Sequence, residues 1–146
     1  MAEVTVKGSS KTRRAKVESM IHFCVDMLGL SRIRTLEIEC NLTGKTGDSE
    51  GLCLSVDDRE FELDINKNIK LRPLLETVAH EMVHVKQYVR HELKEPTVWK
   101  GTNINTDKVE YWDLPWEIEA HGREVGLFVR WAQKEGYWGK KWTHAY

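Results

Sequence analysis

The three prolines of this chain restrict where its helices can begin and end. Proline fixes φ near the helical value and has no N–H group, so it suits the first turn of a helix and interrupts a helix interior. Pro73 and Pro115 therefore predict two helix starts, and Pro96 requires the first of these helices to have ended. Gly136 marks the end of the second. Apolar residues recur at helical spacing after both starts: Leu74, Leu75, Val78, Met82 and Val89 in the first helix, and Ile118, Val125, Phe128, Val129 and Ala132 in the second.

An earlier segment also has helical periodicity. Between residues 13 and 28 the apolar side chains recur at intervals of three and four, and Gly29 follows as a C-terminal cap. Residues 1–12 are small and polar, so we expect this stretch to be flexible and to lie outside the core. Residues 97–113 contain an irregular run rich in Gly, Asn, Thr and Asp and are predicted to be a loop.

Alternation of polar and apolar residues predicts three β-strands between the first two helices. The last two strands are separated only by the turn Asp57-Asp58-Arg59, so they are predicted to form a hairpin. A chain of 146 residues suits one domain. We therefore expect a single α+β domain over residues 1–146, with an N-terminal helix, a small three-stranded sheet and two later helices. The predicted strands cover residues 35–40, 52–56 and 61–65.

Composition excludes several classes of protein. Lys and Arg total 22 against 23 Asp and Glu, so net charge gives no reason to expect tight binding to nucleic acid or acidic membranes. No apolar run approaches a membrane span or the core of a signal peptide, which predicts a cytoplasmic protein. The cysteines, Cys24, Cys40 and Cys53, form no CxxC pair, which favours buried reduced thiols over disulfides or a cysteine zinc site.

The helix opened by Pro73 contains the run His80-Glu81-Met82-Val83-His84, which has the HExxH pattern. Residues four apart in a helix are separated by only about 40° around its axis, so both imidazoles lie on one face. Such a pair chelates zinc, and Glu81 can reach a zinc-bound water as its general base. The pattern predicts a zinc-dependent hydrolase of peptide bonds. The alternative is a surface helix on which His and Glu lie without a metal.

A third protein ligand is required, and the residues just after the motif do not supply it. In an extended HExxHxxGxxH motif, Gly and His would occupy the positions of Gln87 and Arg90. His91 lies about 10 Å beyond His84 along a straight helix, which is too far to share the ion. We therefore expect His91 to be solvated or locally paired.

The helix opened by Pro115 offers three candidates on one face. At about 100° per residue, with Glu117 at the origin, His121 falls at about 40° and Glu124 at about −20°, beside the apolar stripe. Glu119 falls on the opposite side near Arg123, where a solvated i,i+4 ion pair explains it. Glu117 is therefore the preferred third ligand. His121 is expected either to hold a ligand in place or to bind the metal, and Glu124 is a further candidate to hold a ligand.

The segments HEMVH and EIEAHGRE resemble those of gluzincin-type zinc metallopeptidases. The second is similar to the glutamate helix of ImmA/IrrE-like peptidases. The resemblance implies a minimal zincin-like domain in which His80, His84 and Glu117 hold Zn²⁺ and protein or peptide substrates are cleaved. It also implies that the strand at residues 60–65 is the sheet edge above the cleft, to which an extended peptide adds by main-chain pairing.

A second resemblance is to SprT-like metallopeptidases, whose third ligand is a His often followed by Gly, as in His121-Gly122. Small phage-encoded proteins of that family have a similar layout. This resemblance implies His121 as the third ligand and a DNA-associated protease. A non-catalytic zinc-binding regulatory module is a further alternative, but a purely structural site has no use for a base such as Glu81 beside the metal.

Aromatic and basic residues suggest two secondary features. The six tryptophans all lie in the last third of the chain, where they are predicted mainly to fasten a loop and the C-terminal tail to the core. Basic and aromatic residues are interspersed in Tyr137–Trp142, and a basic cluster lies within residues 7–16. The alternative to a packing role is therefore weak contact with single-stranded DNA. Candidates to stabilise a transition state are Tyr88, Tyr111 and His144.

Overall fold

The computed structural model describes residues 2–146 and confirms the predicted α+β class. Helices α1 and α2 pack against a mixed four-stranded sheet, α3 packs against α2, and a small antiparallel sheet follows α2. No helix among the described residues is both long enough and apolar enough to cross a membrane. The elements in chain order are β1 (Glu3–Lys7), α1 (Lys11–Met27), β2 (Glu37–Thr43), β3 (Gly51–Asp57), β4 (Glu60–Asn66), α2 (Leu71–Val89), β5 (Leu93–Lys94), β6 (Val98–Trp99), β7 (Thr102–Asn103) and α3 (Pro115–Lys134).

The larger sheet has the strand order β1-β2-β4-β3. Strands β1, β2 and β4 are parallel, whereas β3 is antiparallel to β4, which confirms the predicted hairpin. The prediction of three strands was wrong, and so was the placement of residues 60–65 at the sheet edge. Those residues belong to β4, which lies inside the sheet, and β3 is the edge strand instead. Alternation identifies a strand but contains no information about strand order.

The N-terminal segment is part of the sheet, which corrects the expectation that residues 1–12 are flexible. Over the described positions, Glu3–Lys7 pair with β2 in parallel register and α1 already begins at Lys11. Val4 and Val6 pack against the core while the polar residues between them face outward. Only two apolar residues alternate here, so the local pattern is weak, and β2 provides the hydrogen-bond partners that make the strand.

Alternate residues of the inner strands form one side of the core. Ile38, Cys40 and Leu42 of β2 are buried, as are Phe61, Leu63 and Ile65 of β4, while the residues between them are more exposed. Helix α2 covers this layer and is buried over most of its length. All three cysteines are unpaired, with Cys24 and Cys40 buried as predicted and Cys53 only half-buried.

Helix α3 begins at Pro115 and has Gly136 just beyond its C-cap, as predicted, but its buried face is displaced from the predicted stripe. Phe128 and Ala132 are buried, whereas Ile118 and Val125 are 56% and 44% exposed. Trp116 and Trp131, with the small Ala120 between them in sequence, are buried instead of Ile118 and Val125. A large aromatic ring buries more apolar area than either of these aliphatic side chains. The side chains of α3 that are buried are Trp116, Ala120, Leu127, Phe128, Trp131 and Ala132.

The stretch 97–113, predicted as a loop, contains three short elements. Val98–Trp99 and Thr102–Asn103 pair within the small sheet, and Tyr111–Asp113 form a 3₁₀ turn directly before α3. Two-residue strands are too short to produce a periodic signal, so sequence analysis could not detect them.

The C-terminal tail is fastened by aromatic rings, which confirms the predicted role of most tryptophans. The Trp142 ring lies 6.3 Å from Phe128, 6.4 Å from Trp131 and 5.5 Å from Tyr137, between ring centroids. The rings of Tyr137 and Trp142 are therefore used in packing, and the segment does not present them as a row of free stacking platforms. Trp112 is different, because it is 67% exposed.

Helix α2 ends with a residue in left-handed conformation that is not glycine. His91 follows the C-cap Arg90 with φ of 58°, whereas α1 and α3 have Gly29 and Gly136 at the corresponding place. A residue with a Cβ atom pays roughly 1–2 kcal/mol of folding free energy to adopt this conformation. Glycine avoids that cost but loses roughly 0.5–1 kcal/mol more conformational entropy on folding, so the net advantage of glycine is smaller.

We expect His91→Gly to stabilise the protein by about 0.5–1 kcal/mol, because it removes the strain of the left-handed conformation. Urea denaturation followed by circular dichroism measures the change. His91→Ala is the matched control, since alanine retains the strain and should give no gain. Equal stabilisation by both variants would contradict this explanation.

Candidate functional site

The two histidines of the HExxH motif lie side by side on the buried face of α2. His80 and His84 are each 7% exposed, and their ring centroids are 5.0 Å apart in an edge-to-face arrangement. They face a cleft of about 550 Å³ bounded by α2, the edge strand β3, the 3₁₀ turn and α3. The helical spacing predicted from the sequence therefore brings both imidazoles to one open cavity.

Glu117, in the first turn of α3, faces both histidines. Its Oε1 lies 2.9 Å from His80 Nε2, and its Oε2 lies 3.4 Å from His84 Nε2. Burial alone raises the pKa of this carboxyl, but its contacts with the two imidazoles hold the pKa well below its usual range. Burial lowers the pKa of His80, while Glu117 and Glu124 raise it to about 10. Glu117 is thus an ionised carboxylate that bridges the motif histidines.

His121 and Glu124 reach the same place from the next turns of α3. The Nδ1 atom of His121 lies 2.6 Å from Glu124 Oε1, which in turn is 3.4 Å from His80 Nδ1. The Nε2 atom of His121 lies 2.9 Å from the Tyr111 hydroxyl. The structure therefore brings together the five candidates for holding the metal or its ligands, and Tyr111 of the 3₁₀ turn contacts them: His80, His84, Glu117, His121 and Glu124.

Tyr111 is the one transition-state candidate that contacts the cluster. Its hydroxyl lies 3.0 Å from Glu117 Oε1, and burial together with this carboxylate raises the pKa of the phenol. Tyr88 lies on the wall of the cleft with its hydroxyl on Glu95, 3.0 Å away. His144 packs on Trp138 outside the cleft.

Glu81, which lies between the two motif histidines on α2, has its side chain directed toward the edge strand β3 and is 5% exposed. Burial raises the pKa of its carboxyl, and the histidines partly oppose this. A Cβ atom at Gly51 would lie 2.6 Å from Thr77 Cγ2 and 3.1 Å from Glu81 Oε2. Glycine therefore lets β3 approach the helix at the point where Glu81 faces the cleft. Nothing in the local sequence marked Gly51, because the requirement is a contact between distant segments.

Glu119 is more than a solvated partner of Arg123. Its carboxylate does lie 3.4 Å from Arg123 Nη1, as predicted, but it is closer to Lys86 Nζ at 2.8 Å and Gln87 Nε2 at 3.0 Å. These contacts join α3 to α2. The prediction placed Glu119 on a solvated face because helical angles do not show where a neighbouring helix lies.

Gln87 is a functional candidate that sequence analysis missed. It is fully buried and contacts His84 Nδ1, the main-chain oxygen of Trp116 and Glu119. His91, by contrast, is exposed and lies outside the cleft lining, as expected. A glutamine three residues after the second motif histidine could have been noticed as a neighbour at helical spacing.

Three of these side chains form a group that can hold a metal ion. One ligand atom each from His80, Glu117 and His121 lie within 4.8 Å of one another. His84 is adjacent, through its 3.4 Å approach to Glu117. Imidazole nitrogens with a carboxylate oxygen are a donor set suited to divalent transition metals. The open cleft beside them leaves room for further ligands.

The basic cluster near the N-terminus is largely engaged within the protein. Arg13 donates to the main-chain oxygen of Ile69, Arg14 to that of Ser9, and Lys7 pairs with Glu39. Only Lys7 is thereby paired with an opposite charge, while the two arginines are held against the protein surface by neutral oxygens.

No protein-family model, curated protein or solved structure matches this chain. Its function is therefore inferred from the geometry of the cleft.

Proposed function

We propose that this protein is a zinc-dependent peptidase with a zincin-like catalytic arrangement. The observation that carries the proposal is the buried Glu81 carboxylate beside a His–Glu cluster in an open cleft. A structural metal site closes its coordination with protein groups, whereas a catalytic one keeps a position open and needs a base nearby. The combination of a metal-capable cluster, a base and an accessible cleft favours hydrolysis over a purely structural role.

Zn²⁺ bound here would supply Lewis acidity and a water of lowered pKa. Glu81 is the residue of this chain that would accept a proton from an attacking water, and burial raises the pKa of its carboxyl. Glu81 would then deliver the proton to the leaving amine. Tyr111, whose hydroxyl already faces the cluster, is placed to donate a hydrogen bond to the oxygen on which charge develops.

For the metal we assign His80, His84 and Glu117 as ligands. Both ring nitrogens of His121 have close partners, Glu124 at 2.6 Å and Tyr111 at 2.9 Å, so binding the ion would disrupt one of these contacts. The Nε2 atoms of His80 and His84 instead both face Glu117, at 2.9 and 3.4 Å, so an ion between these three residues would leave the contacts of His121 in place. We assign His121 to holding Glu124 and Tyr111 in place. The proximity of His121 to His80 supports the alternative, SprT-like ligand set, in which His121 replaces Glu117 as the third ligand.

Zinc affinity distinguishes these two ligand sets. If Glu117 is the third ligand, we expect Glu117→Ala to weaken Zn²⁺ binding by more than the roughly 10–100-fold typical of losing a positioning residue, while His121→Ala stays within that range. Competition with a fluorescent chelator measures both dissociation constants. The opposite ranking would assign the third ligand to His121.

The proposed substrate is an extended peptide. Strand β3 is the edge of the sheet, and Gly51 and Cys53 of this strand line the cleft beside Glu81. An edge strand has unpaired main-chain groups to which an extended peptide can add as a further strand. The resemblance to zincins implied that a peptide adds to residues 60–65. Because those residues lie inside the sheet and β3 lies at its edge, we assign peptide binding to β3 instead.

The test is cleavage of an unfolded protein by the purified chain, with products identified by mass spectrometry. We expect cleavage with stoichiometric Zn²⁺ and none after a chelator has removed the metal. Zn²⁺ binding without cleavage of any unfolded protein would favour the non-catalytic zinc-binding module.

A further inference from the structure

Gln87 makes two kinds of contact in the wall of the cleft. Its Oε1 lies 2.8 Å from His84 Nδ1, and its Nε2 lies 3.0 Å from both the main-chain oxygen of Trp116 and Glu119 Oε1. The side chain is fully buried, so every one of these partners is in the protein. The residue therefore connects a motif histidine on α2 with the first turn of α3.

These contacts determine the orientation of the Gln87 side-chain amide, that is, which end is the oxygen and which is the NH₂ group. A main-chain oxygen and a carboxylate oxygen accept hydrogen bonds only, so the group that faces Trp116 and Glu119 must be the NH₂. The opposite orientation would place an oxygen against two acceptors in a buried site. The atom facing His84 is therefore the amide oxygen, which accepts only, and His84 Nδ1 must donate to it.

This assignment determines the other nitrogen of the ring. A neutral imidazole has one N–H, so with the proton on Nδ1 the Nε2 atom has a free lone pair. When the ring is neutral, that lone pair faces Glu117 Oε2 at 3.4 Å, a separation at which a cation, either a proton or a metal ion, can lie between the two atoms. We propose that Gln87 is a positioning residue that keeps His84 in the tautomer able to bind a metal through Nε2 and holds α3 so that Glu117 faces it.

The placement of Glu117 follows from the same side chain. Trp116 immediately precedes Glu117, and Gln87 holds its main-chain oxygen at 3.0 Å. Without Gln87, the His84 proton is expected to move to Nε2 and form a hydrogen bond with Glu117, which would occupy the lone pair that a metal needs. Gln87 therefore acts on metal binding in two ways, through the tautomer of His84 and through the position of Glu117. Both rest on the assignment of these residues as ligands in the proposed function.

The first measurement is the tautomer of His84 in the metal-free protein, from long-range ¹H–¹⁵N correlation spectra at a pH where the ring is neutral. We expect a protonated Nδ1 in the wild type and in Gln87→Glu, and a shift toward protonated Nε2 in Gln87→Met. Protonated Nε2 in the wild type would overturn the proposal, and so would an unchanged tautomer in Gln87→Met.

The second measurement is Zn²⁺ affinity by chelator competition. Removing such a partner typically weakens metal binding about 10–100-fold, which we expect for Gln87→Met. Lys86→Met is the matched control, because Lys86 also joins α2 to Glu119, at 2.8 Å, without contacting His84. It should lower thermal stability and leave Zn²⁺ affinity unchanged.

Equal losses of Zn²⁺ affinity in Gln87→Met and Lys86→Met would overturn the positioning role and leave only a structural one. The tautomer measurement requires neither zinc nor activity. If the wild type binds no Zn²⁺, the proposed function fails while the tautomer assignment is still decided. If Zn²⁺ binds and the tautomer is independent of Gln87, only the present inference fails.

Discussion

Glu81→Gln is expected to lose peptidase activity by about 10²–10⁴-fold, the usual contribution of a general base, while Zn²⁺ affinity is retained. Glutamine has nearly the same shape as glutamate but cannot accept the proton of the attacking water. Glu81 is also buried, so exchanging a charge for a neutral amide removes a desolvation cost and should not unfold the protein. Rates on an unfolded protein substrate at equal metal loading measure the effect.

The matched control is Glu60→Gln. Glu60 is an exposed residue of β4 and does not line the cleft. This variant should retain wild-type activity, which separates loss of the base from loss of a negative charge. Full activity in Glu81→Gln would show that another group activates the water and would remove the central element of the proposed mechanism.

Trp131→Ala is expected to lower the free energy of unfolding by about 3–5 kcal/mol, as large core truncations do. The side chain is fully buried, and its ring lies 6.0 Å from Phe128, 5.4 Å from Tyr137 and 6.4 Å from Trp142. Its Nε1 also donates to Ser19 Oγ of α1 at 3.0 Å. One truncation therefore loosens α3 from both α1 and the C-terminal tail.

Urea denaturation followed by far-ultraviolet circular dichroism measures this loss, since the method does not depend on tryptophan fluorescence. Trp112→Ala is the control, because its ring is mostly exposed and surface substitutions usually change stability by no more than about 0.5 kcal/mol. A loss below about 1 kcal/mol in Trp131→Ala would mean that the aromatic cluster does not hold the tail.

Local sequence patterns were reliable wherever a long periodic segment existed. The three helices lie where periodicity, Pro115 and the terminal glycines placed them, and the hairpin of β3 and β4 follows its turn. Pro73 stands in the first turn of α2, two residues after its start. Short segments were missed, since five residues in β1 and two in each strand of the small sheet give little periodic signal.

In the site, helical geometry was enough to group residues but not to rank them. The spacing of His80 and His84 on α2 and the common face of Glu117, His121 and Glu124 on α3 were both derived from 3.6 residues per turn, and the structure brings the two sets together. The contact of His121 with Tyr111 depends on how the 3₁₀ turn folds back over α3, and that of Glu119 with Lys86 depends on how α3 lies against α2; no angle along one helix describes either.

By itself, the sequence determined the α+β class, the helices and the chemistry of the candidate residues, because these depend on neighbours within one or two turns of the chain. Only the tertiary structure decided that β3 is the sheet edge, that Gly51 lets this strand approach Glu81, and that Gln87 joins His84 to α3. Each of these is a contact between segments far apart in sequence, and such contacts are selected by the packing of the whole core rather than by any local pattern.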